Sequence, residues 1–209
     1  METSARDLPW QSVYKIMIGS IVPRPIGWVS TVDEQGRANL APFSFFNAVC
    51  GNPPTVLFCP DIRSTDRASK DTLRNARSNG EFVLNIVTLA LAENMNQTSA
   101  ELPAEIDEFV FAGLEKSASV AVKPPRVANS PVHFECIVKQ IIEIGDQPGA
   151  GSIVIGEIIH LHVDPSVLFD SDKIDPFKLK AIGRLGGATY CRTSDLFQMP
   201  RPPSQIPKA

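Results

Sequence analysis

The chain has 209 residues, 43% hydrophobic and 21% charged, and its 20 basic and 23 acidic residues give a net charge of −3. This length predicts a single domain over 1–209 that folds without disulfide support, and the lack of a basic excess argues against nucleic acid binding. No apolar run reaches transmembrane or signal-peptide length, and the four cysteines are widely spaced, so we expect a cytoplasmic protein with no membrane segment.

The first half of the chain is predicted to be mostly β-strand. Residues 26–32 are rich in β-branched side chains, Asp33–Gly36 is a turn signal, and a second extended run begins at Arg37, which together predict a hairpin. Pro42 cannot donate to a β-ladder, so it is expected at a sheet edge, at a bulge, or where the strand leaves the sheet. Thr55–Cys59 reads as a short buried strand.

Helical signals follow the first strands. Polar and capping residues precede a predicted helix that begins at about Ser69 and stops at Gly80. Glu81–Val87 is predicted as a strand, and residues 89–98 and 103–109 as helices.

A long hairpin is predicted over residues 132–163. Alternation places apolar side chains of each arm on one face: Val132, Phe134, Cys136, Val138, Ile142 and Ile144 in the first arm, and Ile153, Ile155, Ile159, Leu161 and Val163 in the second. Many strands in hairpins with few helices indicate a mainly β protein, an antiparallel β-barrel with helical insertions. The chain ends in a Pro-rich tail over 203–209.

Pairing residue 144 with residue 151 would set His133 opposite His162 and Glu135 opposite His160. Three imidazoles and a carboxylate on one face fit a metal site, but they equally fit the polar outer face of a sheet. Because nothing in the sequence fixes the ligand geometry, we predict no metal.

The segment from Ser64 to Thr72 is a candidate phosphate site. A helix N-terminus offers free N–H groups and a partial positive charge, Arg67 and Lys70 add formal charge, and Ser64, Ser69 and Thr72 add hydroxyl groups. The alternative is an ordinary surface helix capped by Asp66 or Ser69.

Trp28–Thr31 and Asn39–Asn47 form a second candidate site, because small polar residues alternate there with aromatic ones. Such a surface suits a planar heteroaromatic ligand. The alternative is a barrel core in which Trp28, Phe43 and Phe45 pack together.

Motifs in most parts of the chain resemble the flavin reductase-like family of FMN-binding split barrels. They are Pro23–Thr31, Gly36–Asn47, Pro54–Phe58, Lys70–Asn75, Gly80–Asn85, Val122–Arg126, Gly156–His162 and Gly183–Thr193, and the resemblance covers residues 10–202. It implies an antiparallel Greek-key split β-barrel that forms a homodimer with FMN near the interface.

The resemblance also implies a set of cofactor-binding residues. The isoalloxazine and ribityl groups of FMN would be lined by Trp28, Ser30, Thr31, Ala41, Pro42, Ser44, Phe46 and Asn47. The phosphate would be held by Ser64, Arg67, Ser69, Lys70, Asp71 and Thr72, with Lys70 and Thr72 foremost, and Tyr190 would reach the flavin or the partner subunit.

The implied activity is NAD(P)H-dependent flavin reduction, in which NADH or NADPH transfers a hydride to the flavin and no catalytic side chain is required. An oxygenase would receive the reduced flavin by diffusion. Two alternatives stay open: a flavoredoxin-like FMN electron carrier that does not use NAD(P)H, and a non-catalytic flavin- or haem-binding module.

Overall fold

The strands of this computed structural model, which describes residues 2–63, 65–66 and 69–206, form one large antiparallel sheet and three small ones. They are β1 (Gly27–Val32), β2 (Ala38–Phe43), β3 (Phe46–Gly51), β4 (Pro54–Phe58), β5 (Glu81–Ile86), β6 (Lys116–Ser117), β7 (Arg126–Val127), β8 (Val132–Glu143), β9 (Ser152–Val163), β10 (Leu168–Asp170), β11 (Lys173–Ile174), β12 (Ile182–Arg184) and β13 (Tyr190–Arg192).

The helices are short, and all except α1, which precedes β1, lie between strands. They are α1 (Trp10–Ser20), α2 (Asp71–Asn79), α3 (Ala92–Gln97), α4 (Glu108–Phe111) and α5 (Pro176–Leu179), with 3-10 turns at Ala5–Asp7, Leu89–Leu91 and Pro165–Val167. No helix in the described ranges is both long and apolar enough to cross a bilayer.

The seven-stranded sheet has the order β2-β1-β5-β8-β9-β4-β3, so its two edges are strands that follow each other in the chain. Only Ser44 and Phe45 separate β2 from β3, a link that spans about 11 Å when extended. The sheet must therefore curl until its edges approach, which gives a barrel that stays open between β2 and β3. The predicted mainly β, split-barrel fold is confirmed.

The β1–β2 hairpin forms as the turn signal predicts. The Gly36 N–H donates to the Asp33 carbonyl at 3.0 Å, and Gly36 adopts a φ of 80°, which a residue without a Cβ tolerates. Pro42 lies in β2, an edge strand of the sheet, as expected for a residue that cannot donate to a ladder. This edge strand borders the site described below.

Two separate cores pack on the two sides of this sheet. Val29, Phe58 and Phe82 belong to the core inside the barrel, whereas Trp28 and Leu40 belong to a second core beneath α3 and α4. Successive strand residues point to opposite faces, so β1 contributes to both cores and is buried along its whole length.

The β8–β9 hairpin has the predicted pairing near its open end, where His133 faces His162 and Glu135 faces His160. The prediction of one continuous apolar face per arm is wrong, because the ladder shifts register between Glu135 and Cys136 and again between Val138 and Gln140. Each extra residue reverses the alternation. After the second shift Ile141, rather than Ile142, packs on the barrel core, and Ile144 is 66% exposed.

Candidate functional site

A cleft follows the outer side of β2, between the start of α2 and the segment after α3. We call it the β2 cleft. Its walls are formed by Asn39, Ala41, Pro42, Arg63, Lys70, Asp71, Thr72, Thr98, Ser99, Ala100, Glu101, Leu102 and Glu108.

The N-terminus of α2 opens into this cleft without a side-chain cap. Lys70 is the N-cap residue, and its side chain makes no capping hydrogen bond. The alternative of a helix capped by Asp66 or Ser69 is therefore wrong. The first backbone N–H groups of a helix carry partial positive charge, so an uncapped start is suited to an anion.

Lys70 adds a full charge at the same place. Its Nζ lies 3.0 Å from a carboxylate oxygen of Asp61 and 5.5 Å from the centre of the Phe43 ring. The Asp61 side chain is 60% exposed, and an ion pair with such a partner contributes little to stability. The Lys70 ammonium can therefore exchange this partner for a bound anion at low cost.

Asp71 brings a negative charge to the cleft, and two arginines neutralise it. Its carboxylate pairs with Arg74 and lies 3.6 Å from Arg63, which also pairs with Asp66 at 2.8 Å. Asp71 thus orients Arg63 and Arg74 around the start of α2.

A buried hydrogen-bond network fixes α2 against the sheet. The Asn39 amide donates to Thr72 Oγ1 at 2.9 Å and to Thr31 Oγ1 at 3.3 Å, and the Asn75 amide donates to Thr31 Oγ1 at 3.1 Å. Thr72 Oγ1 accepts this bond, which leaves its hydroxyl proton free to donate. Thr31 lies beneath the cleft and positions it.

Trp28 and Ser30 point to the opposite face of β1 and do not line the cleft. Both are fully buried; the Trp28 indole N–H donates to Thr98 Oγ1 at 2.9 Å, and the Ser30 hydroxyl donates to the Pro125 carbonyl. Phe43 is buried in the barrel core, as the packing alternative predicted, but Trp28 belongs to the second core and Phe45 is only half-buried, so the three side chains do not pack together.

The segment after Pro42 leads from the cleft to the open side of the barrel. Ala41 and Pro42 line the cleft itself, and Ser44 accepts a 3.4 Å hydrogen bond from Arg24. Phe46 packs on the barrel core while Asn47 is exposed. The structure thus brings Ala41 and Pro42 together with Lys70 and Thr72, and puts Phe46 and Asn47 beyond one end of the cleft.

The remaining predicted residues have separate positions. Ser69 is half-buried and its carbonyl accepts from Arg74 at 2.7 Å. Tyr190 packs on the second core, where its hydroxyl donates to Asn96 Oδ1 at 3.4 Å, and it does not line the β2 cleft. Ser64 and Arg67 lie outside the described residues.

Sequence reasoning missed three parts of the cleft wall, namely Arg63, the segment 98–102 and Glu108. Arg63 stands in the polar run before α2, so the charge pattern that identified Arg67 could have included it. Residues 98–102 come from a distant part of the chain and have no local signal, because only the fold brings them to β2.

The cluster of His133, Glu135, His160 and His162 lies on the outer face of β8–β9, where the first two residues are buried and the last two half-buried. The polar outer face that the sequence allowed is present, but it is covered by another part of the chain, since Glu135 is 0% exposed. Its carboxylate accepts backbone N–H groups of Val120 at 2.8 Å and Ala121 at 2.6 Å, and His162 Nε2 lies 2.5 Å away. Burial opposes ionisation of Glu135, but these hydrogen bonds outweigh it and lower its pKa.

The ligand-type atoms of Glu135, His160 and His162 lie within 4.8 Å of one another, a spacing that a metal ion could bridge. The Glu135 oxygens, however, already accept bonds from the backbone and from His162. The protein therefore compensates this buried charge with its own groups.

Comparison with known proteins places these features in a family. Residues 18–177 match the flavin reductase like domain. An uncharacterized protein of Aquifex aeolicus (strain VF5) is 37% identical over 192 residues, 92% of this chain and 95% of that protein.

The chain also resembles two solved structures at full length. Nitrilotriacetate monooxygenase component B from Bacillus cereus has 30% identity and a TM-score of 0.89, with 95% of this chain and 98% of that chain covered. The 2-nitrobenzoate 2-nitroreductase NbaA of Pseudomonas fluorescens has 29% identity and a TM-score of 0.85, with 100% of both chains covered. The chain belongs to the flavin reductase-like family.

Proposed function

We propose that the protein is an FMN-binding oxidoreductase, an NAD(P)H-dependent flavin reductase that passes a hydride from nicotinamide to flavin. The observation that carries this proposal is the uncapped N-terminus of α2 with Lys70 beside it, which opens into the β2 cleft of a flavin reductase-like chain.

The donors of this cleft fit the phosphate of FMN. The first N–H groups of α2 and the Lys70 ammonium supply positive charge, and the Thr72 hydroxyl has a proton to donate. Arg63, held by Asp66 and Asp71, supplies a second full charge at the wall. We therefore assign the phosphate to Lys70 and Thr72, with Ser69 and Asp71 as neighbours that shape the helix start.

The isoalloxazine ring would lie at the other end of the cleft from the phosphate, where the chain passes from β2 to β3. Ala41 and Pro42 give the cleft an apolar wall, and Ser44, Phe46 and Asn47 follow at the open side of the barrel. A bound flavin supplies the redox chemistry by accepting a hydride from reduced nicotinamide. The task left to the chain is to hold the two rings in contact and to exclude water, so no acidic or basic side chain is required.

We further propose a homodimer with FMN near its interface, and an oxygenase that receives reduced flavin by diffusion. The dimer is supported by an exposed apolar end of β9, and the oxygenase by the similarity to a monooxygenase component B. All four cysteines are free, as is usual in the reducing cytoplasm, where we expect the protein to act.

The test is a steady-state assay of purified protein with FMN, in which oxidation of NADH and NADPH is followed in separate reactions. The proposal expects turnover with at least one of them. Tightly bound flavin that neither nucleotide reduces, but a reduced ferredoxin does, would instead establish the electron-carrier alternative. Failure to bind any flavin would favour the haem-binding form of the non-catalytic module.

A further inference from the structure

Arg24, between α1 and β1, is a buried arginine without an acidic partner. It is 5% exposed, and in the part of the chain that the structure describes no carboxylate pairs with its guanidinium. Burial is the main cause that lowers the pKa of Arg24, and the positive charge of Arg184 lowers it further, but an arginine remains charged at neutral pH. Because buried charged side chains are almost always paired, this unpaired one indicates a functional role.

The Arg24 guanidinium is held by main-chain carbonyl groups. Nη1 donates to the carbonyls of Ile18 at 2.6 Å and Ile21 at 2.8 Å, at the C-terminal end of α1. Nη2 donates to the Leu185 carbonyl at 2.9 Å, in the turn between β12 and β13. These carbonyls satisfy the N–H groups, but the end of a helix carries only a partial negative charge. The guanidinium therefore keeps a net positive charge.

A further N–H group of Arg24 faces the link between β2 and β3. Nε donates to Ser44 Oγ at 3.4 Å, the longest of the four bonds, and the guanidinium carbon lies 5.9 Å from the centre of the Phe45 ring. Ser44 and Phe45 are the two residues of this link. Since the link is also where the isoalloxazine ring is proposed to lie, the positive charge of Arg24 lies against the proposed ring site.

The proposed reaction places a negative charge on the same ring. A hydride carries one proton and two electrons, so a neutral flavin ring that accepts a hydride from reduced nicotinamide becomes an anion. A fixed positive charge that is shielded from water stabilises an anion much more than a neutral ring. Charge close to the ring is one of the means by which a protein tunes a flavin.

We propose that Arg24 favours the reduced flavin: its buried, unpaired charge makes the protein bind the reduced, anionic ring more tightly than the oxidised, neutral ring. This inference rests on the proposed function and goes beyond it, because it assigns the difference in affinity between two redox states to one side chain. Lys70 does not share this role, since the charge of the phosphate that it is assigned does not change when the ring is reduced.

The experiment compares dissociation constants for oxidised FMN and for dithionite-reduced FMN, measured by anaerobic titration calorimetry of the wild type, Arg24→Gln and Arg24→Lys. The main chain of Arg24 exchanges two hydrogen bonds with Arg184, at 2.9 and 2.8 Å, and both persist in the variants. The wild type should bind reduced FMN more tightly than oxidised FMN. In Arg24→Gln this preference should fall about tenfold, which corresponds to about 30 mV for a two-electron couple. Arg24→Lys keeps the charge and should keep the preference.

Two control variants separate the charge of Arg24 from other effects. Lys70→Ala should weaken the binding of both forms of FMN by the same factor. Arg77→Gln, which removes a cation from an exposed pair with Glu143, should change neither affinity. A preference for reduced FMN that falls equally in Arg77→Gln would mean that any cation has this effect, and would overturn the proposal.

The variants at Arg24 give two further ways to overturn it. Equal losses for oxidised and reduced FMN in Arg24→Gln would make Arg24 a purely structural residue. A preference lost in Arg24→Lys as fully as in Arg24→Gln would assign the effect to hydrogen-bond geometry and not to charge. A wild type that binds oxidised FMN at least as tightly as reduced FMN would overturn the proposal without any variant, even if Arg24→Gln fails to fold. Failure of both forms to bind the wild type would reject the proposed function itself.

Discussion

At the scale of single residues, Lys70 carries the most specific expectation. Lys70→Ala removes one charge-assisted hydrogen bond to the phosphate, so FMN affinity should fall by about 1.5–3 kcal/mol, measured by titration calorimetry. Lys139→Ala is the matched control, since Lys139 forms an exposed pair with Glu157 on β8 and β9. Unchanged FMN binding in a folded Lys70→Ala protein would mean that the phosphate lies elsewhere.

His133 makes stability depend on pH. It is 4% exposed, its Nε2 lies 2.9 Å from the Val127 carbonyl, and its buried Nδ1 has no partner. Burial is the main cause that lowers its pKa to about 4. In the unfolded chain the His133 imidazole has a pKa of about 6.5. Between pH 6.5 and 4 the unfolded chain therefore binds a proton at His133, whereas the folded protein does not.

The free energy of unfolding should accordingly fall as the pH is lowered from about 6.5 to 4, by roughly 3 kcal/mol at most. Urea denaturation at a series of pH values measures it. His133→Gln keeps a donor for the Val127 carbonyl and cannot titrate, so its curve should be flatter over this range. A curve as steep as that of the wild type would exclude His133 as the cause of the pH dependence. The control variant is His160→Gln, which removes the imidazole of a half-buried histidine.

At the scale of secondary-structure elements, the contact between β9 and β5 depends on the missing side chain of Gly156. A Cβ at this position would lie 2.4 Å from two ring carbons of Phe82, which is fully buried in the barrel core. The ring can move only by disturbing the surrounding core, so Gly156→Ala should cost about 1–3 kcal/mol of unfolding free energy.

Gly19→Ala is the contrasting variant. Nothing lies within 4 Å of a Cβ at Gly19, which is in the exposed helix α1. Because alanine favours a helix over glycine, the variant should be stabilised by about 0.5–1 kcal/mol. Thermal melts of both variants check the pair, and a neutral Gly156→Ala would show that the barrel wall yields at this point.

The elements also show how far the sequence determines the fold. Turn residues and alternation were sufficient to predict the β1–β2 hairpin, the edge position of Pro42 and the pairing of His133 with His162. They could not predict the register shifts in β8–β9, since a shift depends on how the strand curves around the barrel. Helix α1 was not predicted, because it has no buried residue and so no apolar periodicity strong enough to identify it.

The candidate site, too, can be predicted from the sequence only where its residues carry a local signal. Lys70 and Thr72 follow from a local signal, a polar helix start. That Trp28 is buried and does not line the cleft depends on α3 and α4, which pack with it in the second core. Residues of β2, α2 and the segment 98–102 meet because both α2 and α3 pack on β2, although they are far apart in the chain.

At the scale of the whole molecule, we expect the end of β9 to form the interface with a second copy of the chain. β4 pairs with β9 only from Val154 to Glu157, so the rest of β9 extends beyond β4. On this extension Ile159, Leu161 and Val163 are 40%, 59% and 36% exposed. A strand end that pairs with β8 on one side, has its other edge beyond β4 and carries exposed apolar side chains is a surface on which a second copy of the chain can pack.

Leu161→Glu places a charge at the middle of this surface and should shift the protein from dimer to monomer, measured by sedimentation equilibrium at micromolar concentration. Val110→Glu is the matched control, because Val110 is 75% exposed on α4 and not on β9. If FMN lies near the interface, Leu161→Glu should also weaken FMN binding, and the loss should diminish as protein concentration is raised and the dimer re-forms. A wild-type protein that sediments as a monomer, or a Leu161→Glu variant that stays dimeric, would contradict this assignment of the interface.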